Sequence, residues 1–72
     1  MRYKIAVIGA GQITEGHLMA MTELQERLKP TAIADIRIDR AEQLAEAYGM
    51  TAYADYREMV IREKPDIVVI TL

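Results

Sequence analysis

The sequence predicts an α/β fold, a parallel sheet with helices on both faces, and three observations carry that prediction. Apolar, β-branched runs of strand length recur along the 72 residues, segments of helical spacing separate them, and glycine or proline marks the main changes of pattern.

The run Tyr3 to Ile8 is nearly continuous in apolar residues and stops at Gly9, as a strand buried on both faces does. From about Gln12 to Lys29, residues 13, 17, 20, 21, 24 and 28 recur at helical spacing and Pro30 ends the stretch, so a long first helix is expected. His17, one turn into it, has no acid or nucleophile nearby in the pattern and is expected to pack and bond locally. Thr31 to Ala34 is a short second strand ending at Asp35. Asp39 and Glu42 have the spacing of a capping box, which places a second helix from about Arg40 to Tyr48 with Gly49 as its left-handed C-terminal cap. Ala41, Leu44, Ala45 and Tyr48 form its buried stripe. Thr51 to Tyr53 is a brief third strand. Asp55 and Glu58 repeat the cap logic for a helix to about Glu63 that turns Met59 and Val60 inward and is closed by Pro65. Asp66 to Leu72 is a second strongly apolar strand. Met19, Met21 and Met59 fit helix faces as core filler, and Tyr53 and Tyr56 read as packing residues.

Four strands alternating with helices require right-handed crossovers, and these favour the strand order 3-2-1-4. That is a Rossmann-like arrangement, an incomplete dinucleotide-binding half. The last strand has no following helix to cover it and no neighbour for its outer edge, a hazard natural proteins avoid. The expectation is that residues 1–72 are the front of a dinucleotide-binding domain, with the substrate and catalytic domain beyond residue 72; the alternative is a partner in a homo-oligomer covering the edge.

Composition narrows the class further. The chain is 51% apolar and has no cysteine or tryptophan, which excludes collagen-like, disordered and disulfide-scaffold proteins. Nine Lys and Arg balance eleven Asp and Glu without basic runs, so neither nucleic acid nor an anionic membrane is the expected partner. A small molecule is. One histidine and no cysteine offer no metal site, and no apolar run is long enough to span a bilayer, so the chain reads as cytoplasmic.

The chemistry lies in the first turn. Gly9-Ala10-Gly11-Gln12-Ile13-Thr14 follows a strand and opens a helix, the setting in which Gly9 allows a tight turn and Gly11, lacking Cβ, lets a pyrophosphate reach the helix N–H groups. The third position of this fingerprint is Thr14 instead of glycine, which predicts a wider helix-on-strand approach, relaxed by Gly16. Asp35 lies twenty-one residues after Thr14 at the end of the second strand, where a carboxylate accepts both ribose hydroxyls of an adenosine and repels a 2′-phosphate. NAD is therefore favoured, with NADP possible because Arg37 and Arg40 stand just beyond the acid and can stack on adenine or neutralise a phosphate. The plain alternatives are a tight turn without ligand, a capping acid at 35 and solvated arginines.

Ile5 to Ile13 with His17, Ala34-Asp35 with Arg40-Ala41, Ala45 and Tyr48-Gly49, then Tyr53-Ala54-Asp55-Tyr56-Arg57-Glu58-Met59, and Pro65 to Ile70, together resemble the N-terminal domain of the Gfo/Idh/MocA oxidoreductases. The resemblance covers nearly the whole chain. It implies a Rossmann domain followed by a larger α/β domain, and use of NAD(P) to oxidise or reduce a sugar or cyclitol hydroxyl. It implies that Gly9, Ala10, Gly11, Gln12 and Ile13 line the pyrophosphate, that Asp35 with Arg37 or Arg40 holds the adenosine, and that Thr71 and Leu72 approach the nicotinamide half. Glu63-Lys64-Pro65 matches a family motif in letters only, because that motif follows the fifth strand and this one precedes the fourth. Lys64 is expected in solvent, and the family's catalytic lysine and histidine are expected beyond Leu72. Two other functions compete: a non-catalytic dinucleotide-binding regulator of the same fold, and a methyltransferase, whose glycine-rich stretch usually differs.

Overall fold

The computed structural model describes residues 2–24 and 26–71. Its elements follow one another as β1 (Tyr3–Ile8), α1 (Gln12–Glu23), β2 (Leu28–Ala34), α2 (Ile38–Tyr48), β3 (Thr51–Tyr53), α3 (Tyr56–Glu63) and β4 (Ile67–Ile70). The four strands form one sheet in the order β3-β2-β1-β4, all neighbours parallel. The expected α/β fold and strand order are what the chain adopts.

The period-two alternation of the strands sorts the core into two layers. Ile5 and Val7 of β1 and Ile33 of β2 face α1 and α2, meeting Leu18, Met21, Ala41, Leu44 and Ala45. Ala6, Ala32 and Ala34 face the other way and meet Met59 of α3. Three alanines leave a thin layer there, and the flexible Met59, fully buried, fills it. Tyr53 packs on the same layer and its hydroxyl donates to Glu63 Oε2 at 2.6 Å, which ties β3 to the end of α3 and pushes the phenol's pKa up.

Several expectations need correction. The first helix stops at Glu23, and Leu28, Lys29 and Pro30 are paired with β1 instead of being helical. Tertiary pairing overrides the helical spacing, because a six-residue β1 gains backbone hydrogen bonds from a partner that starts as early as it does. Pro30, which cannot donate to the ladder, sits where the register slips, Ile5 facing Pro30 and Ala6 facing Ala32, so the irregularity absorbs it. The buried face of α1 is Thr14, Leu18 and Met21; Ile13, His17, Met19, Ala20 and Leu24 are exposed. His17 thus neither packs nor fills the core, and Met19 is not core.

α2 begins one residue before the expected capping box. Arg37 is its N-cap and no side chain caps it, so Asp39 falls in the first turn as a charge favourable to the dipole. Gly49 closes the helix at φ 69°, as expected. At α3 the cap is formed: Asp55 accepts from the Arg57 backbone N–H at 2.8 Å and pairs with its guanidinium at 3.1 Å. Met59 is inward, whereas Val60 is 37% exposed. Lys64 is exposed and closes α3 in the left-handed region, φ 48°, a helix-end role. β4 is shorter than expected. Asp66 precedes it and extends the pairing by a side-chain bond, accepting from the Lys4 N–H at 2.7 Å while its own N–H reaches the Lys4 carbonyl at 2.8 Å. Ile67, Val68 and Ile70 are 40%, 40% and 63% exposed, so within residues 2–71 this strand is not buried on both faces.

Candidate dinucleotide site

A groove of about 630 Å³ opens at the carboxyl ends of the strands, where open parallel sheets bind ligands. Residues 8–14 form one wall, residues 34–37 a second, and Ala54, Tyr56 and Thr71 the remainder. Gly9, Ala10, Gly11, Gln12, Ile13, Asp35, Arg37 and Thr71, all singled out from the sequence, are brought together here. Leu72 lies outside the described residues. Arg40 is not on the groove wall.

The turn between β1 and α1 is held from several sides. Gly9 takes φ +111°, its N–H donates to the Ala34 carbonyl at 2.8 Å, and a Cβ on it would overlap the carbonyl and hydroxyl of Thr71. The close approach that requires glycine is therefore between this turn and the tip of β4. The peptide atoms of Ala10 are gripped by two charged residues: its N–H donates to Asp35 Oδ2 at 2.8 Å, and its carbonyl accepts from Arg40 Nε at 2.8 Å. Arg40, assigned from the sequence to the adenosine, braces the turn here, with a further bond to Gln43 at 3.3 Å.

Gly11 is the N-cap of α1, at φ −86° and ψ −173°, and brings no side-chain cap. The first N–H groups of the helix are left without such a partner and border the groove, where the dipole favours an anion. A Cβ built on Gly11 meets nothing within 4 Å. Thr14 is buried; its hydroxyl is within hydrogen-bond reach of the Gly9 carbonyl, at 3.0 Å, and of the Thr71 hydroxyl. Gly16 is exposed with open space around it and so relaxes nothing at the helix–sheet contact.

Asp35 is a bridge before it is a ligand. Oδ2 accepts from Ala10, Oδ1 accepts from the Arg37 N–H at 2.8 Å, and the Arg37 side chain stands 3.6 Å away and mostly in solvent, where such a pair contributes little. The Arg37 backbone bond holds the carboxyl below the ordinary carboxylate range; partial burial opposes this, and the Ala10 bond and the Arg37 charge add to it. A value lowered on folding means the native state favours the ionised form. That stability is present above the unfolded value near pH 4 and is lost as pH falls through the lowered one. Asp35→Asn is expected to flatten the acid limb of stability against pH; thermal melts from about pH 5 to pH 2 with the wild-type acid limb unchanged would count against it.

Sequence reasoning missed three exposed residues of the groove. Ile36, 90% exposed, Ala54 and Tyr56, 51% exposed, line it, so Tyr56 is not the packing residue expected. An exposed isoleucine directly after the strand-end acid was the available signal for the first.

The model of an oxidoreductase family described as having an NAD-binding Rossmann fold, Gfo/Idh/MocA, matches residues 3–72. The chain belongs to the Gfo/Idh/MocA family. This family member is 33% identical over 66 residues to a D-glucoside 3-dehydrogenase of Escherichia coli (strain K12), a match covering 90% of this chain and 19% of that protein. It is 37% identical to a myo-inositol dehydrogenase of Corynebacterium glutamicum, with a TM-score of 0.81 over 100% of this chain and 21% of the other. A crystal structure of the WlbA dehydrogenase from Bordetella pertussis, in complex with NADH and UDP-GlcNAcA, shares the fold with a TM-score of 0.94 at 18% identity, over 100% of this chain and 22% of that one. The chain spans about one fifth of the length of these relatives. Among its described residues, no helix is long and apolar enough to cross a membrane.

Proposed function

We propose that this chain is the cofactor-binding front of an NAD-dependent oxidoreductase that oxidises or reduces a hydroxyl or carbonyl of a sugar or cyclitol, its substrate domain and catalytic residues lying beyond residue 72. The observation that carries the reading is the groove: a Cβ-free Gly11 with open space in front of it, uncapped helix N–H groups behind it, and a carboxylate held at the end of β2. These residues fit a dinucleotide. Residues 9–13 would line the pyrophosphate, with the N–H groups of residues 11–13 as donors because those of Gly9 and Ala10 are bonded to Ala34 and Asp35; Asp35 would accept from the adenosine ribose with the lone pairs its two backbone bonds leave free, and Ile36 and Tyr56 offer apolar surface to adenine. By the family resemblance, Thr71 and Leu72 would approach the nicotinamide half. When bound, the nicotinamide supplies hydride transfer; the protein's part here is to orient it.

The relatives named as glucoside and inositol dehydrogenases support the sugar or cyclitol class. A cytoplasmic location and a homo-oligomer belong to the same reading, the uncovered apolar side chains of β4 being consistent with further chain or another copy beside it. NADP is a second choice of cofactor, since Arg37 is the exposed cation at the ribose end of the groove. No observation favours the regulator or the methyltransferase.

Isothermal titration of NAD and NADP, separately, into the full-length protein tests the reading, with NAD expected to bind more tightly. No binding of either to folded protein overturns it. Asp35→Ala is expected to weaken NAD by about tenfold, the worth of a charge-assisted hydrogen bond, and NADP less. An unchanged NAD to NADP ratio removes Asp35 from the cofactor site.

A further inference from the structure

Thr14 and Thr71 each place a hydroxyl at the same point beneath the glycine turn. Thr14 is 1% exposed and is the buried polar residue among those described; Thr71 is half-buried at the tip of β4. Their Oγ1 atoms are 2.5 Å apart. Thr14 Oγ1 also lies 3.0 Å from the Gly9 carbonyl oxygen, and Thr71 Oγ1 lies 3.2 Å from that of Ile8.

Two hydroxyls own two protons, so these three contacts cannot all be hydrogen bonds at once. The Ile8 carbonyl already accepts from the Thr71 backbone N–H at 2.9 Å, whereas the Gly9 carbonyl depends on Thr14. Two oxygens this close need a proton between them, and the Gly9 carbonyl takes that of Thr14, so the bonds run one way: Thr71 donates to Thr14, and Thr14 donates to Gly9. The chain of bonds joins the tip of β4 to the turn that aims Gly11 and the helix N–H groups, and both threonines border the groove. Thr14, buried, thus accepts from one side and donates to the other, and loss of either hydroxyl breaks the link between β4 and the turn.

From this geometry we infer that Thr14 and Thr71 are a coupled pair of positioning residues, setting the spacing between the glycine turn and the β4 wall of the groove so that a molecule spanning both is bound in register. The inference deepens the function proposed above and rests on it. A ligand that touches only the adenosine end depends on the pair much less than the whole dinucleotide.

The test is a double-mutant cycle in the full-length protein with Thr14→Val and Thr71→Val, each nearly isosteric and lacking the hydroxyl, and Thr14→Ser as the conservative rescue. Titrations of NAD and of AMP are run at a temperature where thermal melts show every variant folded. Each valine is expected to weaken NAD about tenfold and AMP by no more than about threefold, the double variant to be little worse than either single, and Thr14→Ser to stay near wild type. Valine variants that bind NAD like the wild type, additive losses in the double variant, equal losses for NAD and AMP, or a serine no better than valine each overturn the inference. Should Thr14→Val fail to fold, the comparison of Thr71→Val on NAD and AMP decides it. A wild-type protein that binds no NAD instead overturns the function, a distinguishable result.

Discussion

Replacing Gly11 with valine is expected to abolish dinucleotide binding while leaving the fold in place. The backbone at Gly11 is at φ −86° and ψ −173°, extended geometry that a β-branched residue adopts without strain, and the space in front of its Cβ is empty to 4 Å. Among the described residues, nothing crowds the new Cβ. The methyl groups would occupy the groove between the helix N–H groups and any pyrophosphate, so the anion loses its donors and meets a steric barrier together. A loss of about a hundredfold or more in NAD affinity is expected, with an apparent melting temperature within about 3 °C of wild type because capping changes here amount to about 1 kcal/mol or less. Titration calorimetry beside a thermal melt reads both. Undiminished NAD affinity would sink the assignment of this turn to phosphate binding.

The same substitution class at Gly9 is expected to do the opposite. Gly9 is at φ +111°, which L-residues rarely adopt, and a Cβ there overlaps the carbonyl and hydroxyl of Thr71. Gly9→Ala therefore combines backbone strain with a clash against main chain, which has no rotamer to escape into. It must push β4 away from the turn, breaking the Thr71 N–H to Ile8 bond and the threonine pair with it. A loss of about 3 kcal/mol or more is expected, which is a large part of the stability of a segment this small. The melting temperature of the full-length protein should fall by at least about 5 °C, and NAD affinity with it. A wild-type melt for Gly9→Ala would mean that β4 does not press on the turn. The two glycines of one motif thus separate by measurement: one serves the ligand, the other the fold.

The parts of the fold that were legible in the sequence are those where a local signal and the tertiary demand coincide. Tyr3 to Ile8, Thr51 to Tyr53 and the Gly49 cap are such places, and Asp55 capped its helix as its spacing said. Where the two disagreed, the tertiary demand won. Residues 28–30 carry helical spacing and a proline, yet they pair with β1, because hydrogen bonds across the sheet are available to them and the register slip accommodates Pro30. Asp39 and Glu42 have the letters of a capping box, but Asp35 folds its carboxylate onto Arg37 and the helix starts at Ile38, one residue before the box. The buried face of α1 shifted to Thr14, Leu18 and Met21 because a hydroxyl that finds partners can be buried, and no pattern of apolar letters announces that.

The candidate site divides in the same way. Sequence alone determined the turn, the acid at the end of β2, the strand order and the family, since each rests on residue type and spacing: absent side chains at 9 and 11, a carboxylate at 35, apolar runs of strand length. Only the tertiary structure decided which arginine faces the groove and which grips the turn, that Ile36 and Tyr56 border it, and that Thr14 meets Thr71. Those are contacts between residues up to 57 positions apart along the chain. Their partners are set by how helices and strands pack, a property of distance and direction that composition and periodicity do not carry.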